Sequence, residues 1–292
     1  MLVELGVADL SEVRLSYRRA GQGPSLVLLL HGWPQTMLCW RRVLPGLAAE
    51  YTVVAPDLRG YGRSGLATTG YDKRSSAKDM HELLNHLGYE AATVVGHDRG
   101  ARVAHRWALD HPDDLRQVVL LDILPTREVM TTYDRASAIA MWHWFFHLQP
   151  ELPELLLRGN VEPYLRHFLA RPIASGAIDA ETFAAYVSAF EEPSHLRASL
   201  ADYRSGFGVD LQLDDADYEA GCQLTQPLLV LWGADGGLGD KDVVAVWRRY
   251  STDVRGHSID DCGHYIPEEQ PQALLAELLR FLAAPMPLER DA

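Results

Sequence analysis

Short apolar runs at regular intervals constrain this chain more than any other feature of it. SLVLLLHG (25–32), YTVVAPD (51–57), ATVVGHD (92–98) and LRQVVLLDI (115–123) are each of strand length and nearly continuous in apolar residues. Runs of that kind suit strands buried on both faces, as in a parallel sheet covered by helices. The segments between them fit. SSAKDMHELLNHLG (75–88) is an amphipathic helical pattern closing on a glycine stop, and residues 99–110 form another. The alternation predicts an α/β architecture with a mostly parallel sheet flanked by helices.

The rhythm changes after Pro125. Residues 127–225 carry helical patterns and no convincing buried strand, and the strand rhythm resumes at PLLVLWG (227–233). DVVAVWRRY, VRGHSID and PEEQPQALLAELLRFLA then follow, the last a helix. This divides the chain into a core of residues 1–126 and 226–292 and a helical cap of 127–225. An insertion over the carboxyl ends of parallel strands is placed to cover a site. A net charge of −13 over 292 residues argues against a nucleic-acid partner, which needs a basic face. Three cysteines without CxxC spacing read as reduced thiols. The N-terminus lacks the pattern of a signal peptide, and LVLLL is too short to span a bilayer. A cytoplasmic protein without a membrane partner is expected.

The chemistry concentrates at GHDRG (96–100), which has the glycine spacing of a nucleophile elbow with Asp98 at the apex. An aspartate capping the next helix is the plainer alternative. The elbow reading gains from its partners in chain order: Asp122 at the end of the next strand, and His264 in DCGHYIPEEQ. Asp235 is the other candidate acid, but it stands two residues after Gly233 where three is the familiar spacing. A carboxylate that displaces a leaving group forms an ester, and an ester can be hydrolysed. Asp98 would attack, and His264, oriented by Asp122, would activate water. The backbone amides of Trp33, in HGWP, and of Arg99 are the candidate oxyanion donors. Arg99 and Arg102 are neighbours where cations oppose the helix dipole. They serve either to pair with an acid or to clamp a substrate carboxylate.

The order HGWPQT, DLRGYGRS, GHDRG, LDILPT, WHW and GHY resembles the α/β-hydrolase fold, and within it the fluoroacetate (haloacetate) dehalogenases. The resemblance covers nearly the whole chain and implies an eight-stranded sheet. It also implies cofactor-free, metal-free hydrolysis of small haloacids to glycolate and halide, and a homodimer. On it, Arg99 and Arg102 bind the substrate carboxylate, and His143, Trp144 and Tyr203 bind the halide. Ala101 stands where a third glycine is frequent, and Trp33 where phenylalanine is common. His143 and His147 are four apart, but Trp144 follows where a metalloprotease motif has glutamate. An epoxide hydrolase using Tyr203 with Tyr133 or Tyr164 is the alternative enzyme, and a non-catalytic ligand-binding protein the alternative from another class. Residues 160–195 leave substrate size open.

Overall fold

The structure, a computed structural model, describes residues 2–284; the final stretch of the expected 226–292 core segment, residues 285–292, lies outside them. Eight strands form one sheet: β1 (Glu4–Asp9), β2 (Arg14–Ala20), β3 (Leu26–Leu30), β4 (Thr52–Pro56), β5 (Ala92–His97), β6 (Leu115–Leu121), β7 (Leu228–Gly233) and β8 (Val254–Ile259). Their order is β1-β2-β4-β3-β5-β6-β7-β8. β2 runs antiparallel to both of its neighbours, β1 and β4; from β4 to β8 all pairs are parallel. β1 and β2 escape a sequence reading because neither is a continuous apolar run: β2 carries Arg14, Ser16 and Arg18 on its more exposed face, and β1 exposes Leu5, Val7 and Asp9.

Alternate residues of the central strands feed two cores. Leu28, Val54, Val94 and Val118 face the helices Lys73–His86 and Arg99–Asp110, whereas Val27, Leu29, Val53 and Val95 face the helix Pro271–Leu282. The helix expected at 75–88 starts two residues earlier, because Asp72 caps it by accepting from the Ser75 N–H at 2.9 Å. Gly88, at φ +79°, ends it. The last predicted helix is divided into Ile266–Glu269 and Pro271–Leu282. Gln270, at φ −132° and ψ 56°, is non-helical, as the residue before a proline tends to be.

Between β6 and β7 the chain is helical, from Thr126 to Glu219. Asp98 and Asp122 follow parallel strands directly, which places both at the same edge of the sheet, beneath this insertion. Among the described residues no helix is long and apolar enough to cross a membrane.

Candidate active site

Asp98 joins β5 to the helix Arg99–Asp110 with φ 48° and ψ −113°, a conformation L-residues rarely adopt. The flanking glycines permit it by close approach. A Cβ on Gly96 would lie 2.5 Å from the Ala101 Cα, and one on Gly100 2.4 Å from the Leu30 carbonyl oxygen. Ala101 is itself fully buried, so the missing third glycine is accommodated without opening the turn.

The structure brings Asp98, His264 and Asp122 together. His264 Nε2 lies 3.8 Å from Asp98 Oδ2, and His264 Nδ1 lies 2.5 Å from Asp122 Oδ2. Asp122, also at positive φ (53°), is fixed through its other oxygen by the Gly233 N–H at 3.0 Å. Asp235 instead pairs with Arg171 at 2.7 Å. Burial opposes charge on His264, but the Asp122 hydrogen bond, reinforced by Asp98, prevails and pushes its pKa up to about 9. Burial would also raise Asp98, yet His264, His97, Arg99 and the Trp33 amide together hold it below the usual carboxylate range.

The Trp33 N–H donates to Asp98 Oδ1 at 2.9 Å. The Arg99 N–H opens the helix that follows and so has no intrahelical acceptor. The HGWP loop is held by Asp57, which accepts from the Met37 N–H and the Arg63 N–H, each at 2.8 Å. The Trp33 indole, where a phenylalanine is common, is the hub of an aromatic wall. It stacks on His143 (centroids 5.9 Å apart, planes 14° apart) and meets Phe168 and Tyr203 edge-on.

The two arginines part company. Arg102 lines the cavity above Asp98, and its Nη1 donates only to neutral acceptors, the Leu124 carbonyl (3.2 Å) and Thr126 Oγ1 (2.9 Å). Burial and the adjacent Arg99 push its pKa down to about 10, so it stays cationic at neutral pH without an ion-pair partner among the described residues. Arg99 points elsewhere and does not line the cavity. Asp202, on the cap helix Pro193–Gly206, accepts from its Nε at 2.7 Å and its Nη2 at 3.0 Å. The expected clamp of two arginines is therefore reduced to one free guanidinium, because a buried cap carboxylate takes the other. Arg99 keeps a single unpartnered nitrogen, Nη1, and lies over the Tyr203 ring at 4.5 Å.

His143, Trp144 and Tyr203 all line the same cavity. His143, with Nδ1 unpartnered, is driven down to about 4 by burial and is neutral; burial also keeps the Tyr203 phenol protonated. Tyr133 and Tyr164 do not line it. Tyr164 bonds His147 at 2.8 Å, and the Tyr133 hydroxyl meets Met130 Sδ at 3.7 Å.

Sequence reasoning missed three supports. Asp202 also receives Lys73 and the Tyr61 hydroxyl, tying cap to core directly behind Arg99. Glu269 accepts from the amides on either side of His264, Gly263 (2.9 Å) and Tyr265 (3.0 Å). His97 Nε2 meets the His264 carbonyl at 2.8 Å. The usable signals were the acid placed next to Tyr203 in ADYRSG, and the paired glutamates soon after His264.

Residues 25–271 match the alpha/beta hydrolase fold family. A fluoroacetate dehalogenase from Burkholderia sp is 37% identical over 289 residues, covering 96% of this chain and 94% of the relative. A soluble epoxide hydrolase from Corynebacterium sp. (strain C12) is 36% identical over 281 residues, 94% of this chain and 96% of the relative. The crystal structure of an α/β hydrolase from Nostoc sp PCC 7120 superposes with a TM-score of 0.92 at 42% identity, covering 97% of this chain and 99% of that one. With the elbow, the eight-stranded sheet and these relatives in agreement, the chain belongs to the α/β-hydrolase family.

Proposed function

We propose that this hydrolase dehalogenates small 2-haloacids through an ester on Asp98. The observation that carries the reading is Arg102: a buried guanidinium in the cavity wall, in the field of Asp98 and with no salt-bridge partner among the described residues. A bare buried cation is unfavourable unless an anion completes it, and a substrate carboxylate does so beside a nucleophile that would otherwise repel it. Arg99, paired with Asp202 and outside the cavity lining, serves through its backbone amide rather than as a second arm.

The two Asp98 oxygens have different tasks. Oδ1 is held by the Trp33 amide and becomes the ester carbonyl; Oδ2 attacks the halogen-bearing carbon, and halide leaves toward the N–H and O–H donors of His143, Trp144 and Tyr203. Water then adds to the ester carbonyl with its proton passing to His264, while the Trp33 and Arg99 amides hold the oxyanion. Esterification removes the negative charge that helps keep His264 protonated, which frees it to act as a base.

Epoxide hydrolysis is the second reading, favoured by the 36% identical relative and by Tyr203, whose hydroxyl on the cavity wall can protonate an opening ring. It leaves Arg102 without a purpose. Ligand binding without turnover leaves the complete Asp98–His264–Asp122 set without one. Chloroacetate, fluoroacetate and a simple epoxide, assayed in parallel with Asp98→Asn as control, separate the three. Halide release that the variant abolishes supports the proposal; epoxide opening without halide release refutes it.

A further inference from the structure

The cavity is larger than a haloacetate needs, and one stretch of its spare wall is apolar. Its volume is about 470 Å³, with a mouth open to solvent. Even at the roughly 30 Å³ that a water molecule occupies in the liquid, the five heavy atoms of a haloacetate fill about a third of it. The polar groups that such a molecule would use are few and grouped: Asp98, Arg102, His264 and the three halide donors. The remaining lining comes from other elements and is mixed: Thr132, Ser137, His167 and Lys241 are polar, and an apolar stretch runs beside them. Ile123 and Leu124 follow β6, Val129 belongs to the first cap helix (Thr126–Thr131), Ala140 and Met141 lie at the end of the second (Arg135–Ala140), and Leu238 belongs to the loop after β7. Arg102 itself bonds the Leu124 carbonyl, so a carboxylate held there lies next to this apolar wall.

We infer that these residues form a subsite for an alkyl or aryl group on the halogen-bearing carbon, so that the preferred substrate is a 2-halocarboxylate with an apolar substituent. The inference rests on the haloacid reading above and extends it. The reaction balances as for haloacetate. The bond from Asp98 Oδ2 to C2 forms as the carbon–halogen bond breaks and halide departs with the electron pair. Water then cleaves the ester at its carbonyl, returning Asp98 and a 2-hydroxy acid, with one proton passing through His264 to solvent.

Each methylene moved from water into an apolar wall is worth about fourfold in binding. The test is kcat/KM for 2-chloropropanoate, 2-chlorobutanoate and 2-chlorohexanoate, which share a secondary reacting carbon, with chloroacetate alongside. A rise of tenfold or more along the series is expected. Leu238→Trp and, separately, Val129→Phe fill the subsite from two elements and flatten that gradient. A flat or falling gradient in the unaltered enzyme, with chloride still released from chloroacetate, overturns the subsite and spares the haloacid reading. Failure of every acid overturns both.

Discussion

Asp202→Asn is expected to destabilise the protein severely although Asp202 takes no part in bond making. Its carboxylate, 8% exposed, receives Arg99, Lys73 and the Tyr61 hydroxyl, and Lys73 Nζ also lies 3.7 Å from Asp210. The cluster holds two cations and two carboxylates, and the substitution leaves one buried positive charge uncompensated. Removing one partner of a buried pair costs about 3–5 kcal/mol, a large part of the 5–15 kcal/mol typical of a whole domain. At roughly 2–3 °C per kcal/mol for a chain of this size, Tm falls by about 10 °C. Lys73→Met in the same background restores neutrality and returns part of the loss, a coupling of at least about 1 kcal/mol in a double-mutant cycle. The pH dependence has a definite sign. Burial would raise Asp202, but Arg99 and Lys73 hold it far below the usual range, so its stabilisation is present above its unfolded pKa of about 4 and fades as pH falls below that. Thermal melts at pH 7 and pH 3.5 read both effects. A shift under about 2 °C at pH 7, or strict additivity with Lys73→Met, refutes the reasoning.

The remaining expectations concern the chemistry. His264→Gln leaves ester formation possible and removes the base, so intact-mass spectrometry after chloroacetate treatment shows the protein heavier by one carboxymethyl group; an unmodified mass counts against the covalent route. In the free enzyme His264 titrates at about 9, and loss of the Asp98 charge on esterification lowers that value. Single-turnover decay of the ester then accelerates with pH to a plateau whose midpoint lies below 9, and a midpoint at or above 9 contradicts the coupling. Arg102→Met forfeits charge-assisted hydrogen bonds of about 1.5–3 kcal/mol, so KM for chloroacetate rises roughly 10- to 150-fold while the melting temperature holds or rises, because a bare buried cation has been removed. Unchanged kinetics dismiss the carboxylate role.

What was legible in the sequence was what local pattern encodes. The central parallel strands declare themselves because both of their faces are buried, and the turn at Asp98 because only glycine fits at 96 and 100. The long-range partners were hidden. Arg99 and Asp202 lie 103 residues apart, and nothing near Arg99 shows that a cap carboxylate claims it. Arg102, three residues on, looks the same in the sequence; only packing leaves one guanidinium paired and the other bare. Cavity volume was equally invisible, since it depends on how far Leu238, Val129 and Met141 stand from Arg102 once the cap has closed over the core.

The elbow does not choose between a dehalogenase and an epoxide hydrolase. An aspartate aimed by glycines and backed by a histidine forms an ester from an epoxide as readily as from a haloacid. The choice is made by the field around the reacting carbon. A neutral epoxide needs a proton donor at the developing alkoxide and gains little from a buried cation. An anionic haloacid must approach an ionised Asp98, and like charges at close range in a low-dielectric site repel by several kcal/mol. On the proposed reading Arg102, without a salt-bridge partner among the described residues, offsets that repulsion, whereas Arg99, bound by Asp202, contributes little net charge. The asymmetry of the pair is therefore the informative feature. One arginine is consumed in fastening the cap, and its neighbour is left without a salt bridge in the cavity wall, where the proposed substrate carboxylate would complete it.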